Sequence, residues 1–327
     1  MTLPAFALER PATVAQAVAL LAGDHARVLA GGTDLVPNLL RGIERPAVLV
    51  DLGRVAGLAD IVCDRREIAI GAGVTLARLA SDARIAADCA ALAQAANDVA
   101  APGHRAVATV GGNLCLDTRC VFYNQSEWWR AANRGCLKRG GDTCHVAPQG
   151  ARCHAAFSGD VAPALLAFDA QVEIVSAAGT RRAPLAALYR DDGAAHLTLE
   201  RGELLTRVFV TVSPGVRSGY RKARVRGAID FPLAGVAIAL AMDGARIAQL
   251  RVALTGTNSH PLALTGTDAL IGQPADDEAC AALGQLVAKQ VSPMRTTVTA
   301  SNYRRQAASA MARGLLRELA AARPAQG

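Results

Sequence analysis

The chain has 327 residues, a length that calls for two or three hydrophobic cores rather than one. Hydrophobic residues make up 51% and charged residues 19%, so core material is ample, and much of it is alanine, which suits close-packed helices. The net charge of +7 is dispersed except in RSGYRKARVRG (residues 217–227), and no aromatic–basic alternation or helix-turn-helix pattern accompanies it, which sets nucleic-acid binding aside.

The N-terminus lacks the basic-then-apolar order of a secretory signal. The longest clean apolar run, FPLAGVAIALAM (residues 231–242), is well short of the ~18–20 residues of a spanning helix. No membrane segment and a cytoplasmic location are therefore expected, and with them reduced thiols. PATVAQAVALLAG (11–23) has helical apolar spacing with glycine at its end. ARVLA (26–30) predicts a buried strand, LVPNLLRG a short helix and PAVLVDL (46–52) another strand. REIAIGAGVT (66–75) alternates like a strand, and residues 76–100 read as helix, broken once. GDVAPALLAFDAQVEIVSAAGTRRAPLAALY (159–189) resumes the helix-then-strand texture. Beyond Ser213 come two strand-like stretches around a turn at Asp243–Gly244, then helical segments ending with residues 301–322. Cys63, Cys89 and Cys280 lie in apolar surroundings and read as buried structural thiols.

Two glycine pairs carry the first chemistry. AGGTDL (30–35) follows a strand and precedes a helix, so its backbone N–H groups can face a phosphate, with Thr33 adding a hydroxyl and Asp34 capping the helix. It lacks the third glycine of the dinucleotide fingerprint, and a plain tight turn fits it as well. TVGGN (109–113) repeats the pattern, and two such loops can grip a long ligand from two sides.

A third segment, between Cys120 and Cys153, holds four of the eight cysteines and both tryptophans. Cys120, Cys136, Cys144 and Cys153 stand 16, 8 and 9 residues apart, a spacing that matches neither zinc ribbons nor the bacterial ferredoxin run. Spacing leaves zinc and [4Fe–4S] level. His145 and His154, each directly after a cysteine, are alternative ligands, and Cys115 belongs to the second glycine loop. Phe122, Tyr123, Trp128 and Trp129 read either as an apolar shell around a metal centre or as the segment's own small core.

AGGTDL, TVGGN, Gly159–Asp160, the Tyr220-Arg221-Lys222 run and the following Asp230-Phe231 together resemble the FAD-binding medium subunits of the xanthine oxidase family of molybdenum hydroxylases, over nearly the whole chain. The resemblance implies an α+β fold: a two-part FAD-binding domain (1–56 and 57–212) with residues 118–157 inserted, a C-terminal α+β domain with a small antiparallel sheet (213–323), and a tail (324–327). By motif, Val28, Leu29, Ala30, Gly31, Gly32, Thr33, Asp34 and Leu35, with Thr109, Gly111, Gly112 and Asn113, would hold the FAD pyrophosphate region, and Thr75, Asp160 and Lys222 would complete its surroundings.

Within that family NLCLDTRC, the FYNQSEWWR after it and the four spaced cysteines are similar to the 4-hydroxybenzoyl-CoA reductases. That similarity implies a [4Fe–4S] cluster on Cys120, Cys136, Cys144 and Cys153. It also implies a large molybdopterin subunit, a small subunit with two [2Fe–2S] clusters, dimerised heterotrimers and reduced ferredoxin as electron donor. Five basic residues against two acidic ones give the cysteine segment a net +3, which suits an acidic ferredoxin or is simply a solvated surface. The alternatives are the FAD subunit of another molybdenum hydroxylase and a zinc-stabilised scaffold without flavin.

Overall fold

The structure, a computed structural model, describes residues 2–64 and 66–322. The expected tail at 324–327 lies outside the described residues.

The N-terminal unit runs β1 (Ala7–Glu9), α1 (Val14–Leu21), β2 (Ala26–Leu29), α2 (Leu35–Leu40) and β3 (Val48–Asp51). Its sheet is parallel in the order β1-β3-β2. Helix α1 starts where the Thr13 hydroxyl accepts from Gln16 N–H, and its Ala17, Val18 and Leu21 pack with Val50, Val55, Leu58 and Leu204. Strand β2 is an edge strand and only half buried, not the buried strand expected from ARVLA, since its apolar run is covered on one side alone.

Next come β4 (Ile61–Cys63), β5 (Glu67–Gly71), α3 (Leu76–Ser81), α4 (Ala83–Asp88), α5 (Ala90–Asn97), α6 (Pro102–Arg105) and α7 (Val110–Leu114). After them follow α8 (Glu127–Ala132), α9 (Val161–Ala167), β6 (Gln171–Ser176), β7 (Gly179–Pro184) and β8 (Leu204–Thr211). The five strands form an antiparallel sheet in the order β4-β5-β8-β6-β7. Residues 76–97 break twice, not once: the Asp82 carboxylate caps α4 through Arg84 and Ile85 N–H, and Cys89 leaves helical geometry before α5. Cys89 and Cys280 are buried as expected, but Cys63 is exposed because β4 is an edge strand with one face open.

The C-terminal unit holds β9 (Arg217–Ala223), β10 (Ala234–Asp243), β11 (Arg246–Thr255), β12 (Leu262–Ala263), α10 (Asp277–Gln290) and α11 (Ser301–Ala321). Its sheet is antiparallel in the order β12-β11-β10-β9, with the expected turn at Asp243–Gly244, where Gly244 takes a positive φ. The two-residue period of β10 sorts side chains by size. Val236, Ile238 and Leu240 pack with α10 and α11, while Ala237 and Ala239 join the large core that includes α5 and α9. Alanine on that face lets helix and sheet approach closely. The buried Arg304 guanidinium ties α11 down through the carbonyls of Leu233, Met294 and Gly256 and the Thr296 hydroxyl.

Candidate functional site

The residues between α7 and α9 leave the body through a closed neck. Arg119 and Ala156 exchange both backbone hydrogen bonds (2.7 and 2.8 Å), so the segment between them is an excursion from one spot. It rests on its surroundings at three places. The buried Arg130 guanidinium donates to the carbonyls of Arg41 and Gly42, Val121 N–H to Thr296 O (2.9 Å), and Gly193 N–H to Cys153 O (2.8 Å).

Within the excursion Cys120, Cys136, Cys144 and Cys153 are all buried and line one small cavity, with Phe122, Tyr123, Leu137, Lys138, His145, Val146 and Ala155. Burial pushes the Cys120 thiol up, and that of Cys153 up to about 11. The four thiols surround the space rather than meet at a point: among the described residues no three His, Cys, Asp or Glu side chains are grouped to hold a single metal ion. His145 lines the cavity, but its Nε2 is engaged with Gly135 O (2.6 Å), and its ring stacks on Phe122. Neither His154 nor Cys115 lines it; burial pushes the Cys115 thiol up to about 12. Phe122 and Tyr123 form its apolar wall with Trp129 behind Phe122, but Trp128 is 78% exposed and takes no part, because it points off the outer face of α8.

The glycine segments come together next to this neck. A Cβ on Gly31 would collide with the Val107 carbonyl and lie 2.9 Å from Ala108 Cα, so only glycine lets the AGGTDL loop touch the backbone that leads into TVGGN. Gly32 has a φ of +70°. Among the described residues the N–H groups of Gly31, Gly32, Thr33 and Asp34 find no acceptor, and all four residues are half-buried. Asp34 does not cap α2: its carboxylate turns away to pair with Arg119 and to accept from Asp117 N–H (3.2 Å). Arg119, its side chain 14% exposed and its guanidinium lowered to about 10 by desolvation, also lies 4.6 Å over the Phe231 ring.

The TVGGN segment is not an open loop after a strand; it opens the short helix α7. Thr109 caps it through Gly112 N–H, and the N–H groups of Val110, Gly111 and Asn113 go to Val74, Ala72 and Thr109 carbonyls. Thr75, which caps α3, pairs with Thr109 in an isolated bridge. Asn113 Oδ1 then accepts from Val161 N–H (3.0 Å), one residue beyond Asp160.

Asp160 and Lys222 form a buried pair at 3.0 Å, their side chains 4% and 1% exposed. Tyr220 donates to the other carboxylate oxygen (2.6 Å), and Lys222 also donates to Asp98 O (3.0 Å). Burial raises the Asp160 carboxyl to about 6, with Lys222 and Tyr220 opposing it. Thus one continuous strip joins residues 28–35, Thr75, Thr109–Asn113, Asp160 and Lys222. A larger cavity of about 510 Å³ between α1 and the five-stranded sheet contains none of them.

Sequence reasoning missed Asp117, Arg119 and Lys138, which lie between the strip and the cysteine cavity. Strand periodicity would have paired Tyr220 with Lys222 on one face.

Residues 4–212 match the family described as the FAD binding domain in molybdopterin dehydrogenase, and residues 218–319 match the CO dehydrogenase flavoprotein C-terminal domain. The chain belongs to the FAD-binding medium subunits of the xanthine oxidase/CO dehydrogenase family. Among its relatives, the aldehyde oxidoreductase FAD-binding subunit PaoB of Escherichia coli (strain K12) is 35% identical over 83% of this chain and 87% of its own. The carbon monoxide dehydrogenase medium chain of Afipia carboxidovorans is 29% identical over 84% of each chain. The solved structure of reconstituted CO dehydrogenase from Oligotropha carboxidovorans superimposes with a TM-score of 0.81, at 25% identity, over 98% of this chain and 99% of that one. The family's α+β fold, an FAD-binding domain followed by a C-terminal domain, is the one expected from the glycine motifs. Among the described residues no helix is long and apolar enough to cross a membrane.

Proposed function

We propose that the chain is the electron-transfer subunit of a 4-hydroxybenzoyl-CoA reductase-type complex, holding FAD on the glycine strip and a [4Fe–4S] cluster on Cys120, Cys136, Cys144 and Cys153. The observation that carries this reading is the gathering of those four thiols around one cavity from positions as far apart as 33 residues. A tetrahedral zinc with Zn–S bonds of about 2.3 Å needs its four sulfurs roughly 3.8 Å apart. Thiols spread around a cavity fit a cluster better, where each binds a different iron.

The four free N–H groups at Gly31–Asp34 give the pyrophosphate of FAD its donors. Residues 109–113, whose N–H groups are already used, supply a close backbone wall, and Thr75, Asp160 and Lys222 complete the surroundings. Bound there, a flavin takes one or two electrons and an iron–sulfur cluster one at a time. The chain's own part is to hold the two groups on either side of residues 117–119 and to keep water from the cysteine cavity with Phe122 and Tyr123.

The partners in this reading are a large molybdopterin subunit, a small subunit with two [2Fe–2S] clusters and reduced ferredoxin as electron donor. The net reaction takes two electrons and two protons, breaks the ring C–O bond and releases water and benzoyl-CoA. A second reading, the FAD subunit of an aldehyde or other hydroxylase of the same family, is favoured by the similarity to PaoB.

Iron, acid-labile sulfide, zinc and flavin per chain, measured after purification without oxygen, test the proposal. About four irons, four sulfides and one FAD are expected, with Cys136→Ser losing iron and keeping flavin. One zinc and no sulfide would refute both the cluster and the reductase. A complex with the cluster that leaves 4-hydroxybenzoyl-CoA untouched would favour the second reading.

A further inference from the structure

Among the described residues Lys138 is the one Lys, Arg, Asp or Glu side chain in the wall of the cysteine cavity. It lies two residues beyond Cys136, in a tight turn closed by Arg139 N–H on Cys136 O (2.7 Å). Its side chain is only 6% exposed, and four contacts fix the ammonium in place. Nζ stands 2.6 Å from Asp117 Oδ1, 2.5 Å from Thr118 Oγ1, 3.4 Å from Thr118 O and 4.3 Å from the centre of the Tyr123 ring. A buried ammonium is costly to desolvate, and one carboxylate that is itself partly solvated offsets only part of that cost. An aliphatic side chain would fill the wall without that penalty. The charge therefore has a use besides packing.

We propose that Lys138 is an electrostatic tuning residue of the cysteine cavity, holding the reduction potential of a cluster on the four thiolates higher than the thiolates alone would set it. The inference rests on the cluster reading above. Four thiolates would concentrate negative charge in a buried space, and reduction adds one electron with no accompanying proton. A fixed cation in the wall stabilises that added charge more than it stabilises the oxidised state, since Coulomb energy grows as the local dielectric falls. Asp117 works in the opposite sense and at the same time pins the ammonium. Thus the pair sets the potential by its two unequal distances from the thiols: Lys138 lines the cavity and Asp117 does not. The same carboxylate's backbone N–H donates to Asp34 in the first glycine loop, so the element that tunes the cavity is continuous with the flavin strip.

The test is a redox titration, followed by electron paramagnetic resonance, of the full chain purified without oxygen, with iron and sulfide counted in each sample. Lys138→Met, which keeps the length and removes the charge, is expected to retain the wild-type iron content and to titrate at a more negative potential. Lys138→Arg, which keeps the charge, is expected to stay near wild type. Asp117→Asn is expected to shift the potential the other way, and gives an independent reading where Lys138→Met loses iron. Full iron content with the potential unmoved in both Lys138→Met and Asp117→Asn would make the pair a mere brace and overturn this proposal alone. A wild-type chain without iron and sulfide would overturn the cluster reading and this proposal together.

Discussion

Replacing Lys222 with methionine isolates what holds Asp160 ionised in the glycine strip. Burial raises the carboxyl to about 6 from an ordinary 3.8 even with Lys222 and Tyr220 favouring the anion, so holding it ionised in the folded chain costs a net of about 3 kcal/mol at 1.36 kcal/mol per unit. Because the folded value is the higher one, the folded chain holds this proton more tightly than the unfolded chain. The resulting stability is present at low pH and is lost as pH rises from 3.8 to about 6. Without the ammonium at 3.0 Å, only Tyr220 still donates to the carboxylate, and its pKa climbs further until the group is neutral at pH 7. Taking up a proton at a site of pKa about 6 costs about 1.4 kcal/mol at pH 7, which limits the electrostatic part of the loss. The lost hydrogen bond to Asp98 O adds about 1 kcal/mol. Urea unfolding of the full chain should therefore show Lys222→Met weaker by about 2–3 kcal/mol at pH 7 and by about 1 kcal/mol at pH 5. In an Asp160→Asn background the pH-dependent part should vanish. An equal loss at both pH values, or a loss unchanged by Asp160→Asn, would refute the pairing as the cause.

Two further predictions concern the same region. Gly31→Ala forces the first glycine loop away from Val107 and Ala108, an overpacking cost of about 1–3 kcal/mol that falls on the paired loops. Flavin content should drop sharply in that variant, while Gly112→Ala, whose nearest neighbour is the Thr109 hydroxyl at 3.1 Å, should keep more of it. His196 is buried against Phe157 with Nε2 on Leu116 O, and burial lowers its pKa to about 4 from 6.5. Here the unfolded chain binds the proton more readily, so stability falls as pH drops below 6.5, by about 3 kcal/mol in all by pH 4. Comparing wild type with His196→Gln across that window should show the flatter profile in the variant.

Elements with strong local signals were legible in the sequence. Helix α1 has its Thr13 cap and closing Gly23, and the β10–β11 hairpin has two apolar runs around Asp243–Gly244. The two glycine motifs, read as a family resemblance, led to the right fold. Strand β8 was not legible, and β9 was hidden by its charges, although its alternate residues Ser218, Tyr220 and Lys222 face inward. The exposed Trp128 and Cys63 show that apolar character says little about burial on the outer face of a short helix or on an edge strand. Asp34 had the position of a helix cap and is instead drawn away by Arg119, 85 residues further on. Such pairings depend on how distant segments meet, and no local spacing encodes them. The same holds for Lys138 and Asp117.

The neck at Arg119 and Ala156 has a meaning for descent as well as for structure. Residues of an antiparallel bridge that exchange both hydrogen bonds have Cα atoms only about 5.5 Å apart, so the excursion enters and leaves through what is, for the chain, a single doorway. Lengthening, trimming or exchanging everything beyond it leaves strand register on both sides unchanged, and the entropy of closing a longer loop grows only with the logarithm of its length. The cysteine set is in this sense a cassette: what lies beyond the doorway can be reshaped without re-threading the sheets that carry the glycine motifs.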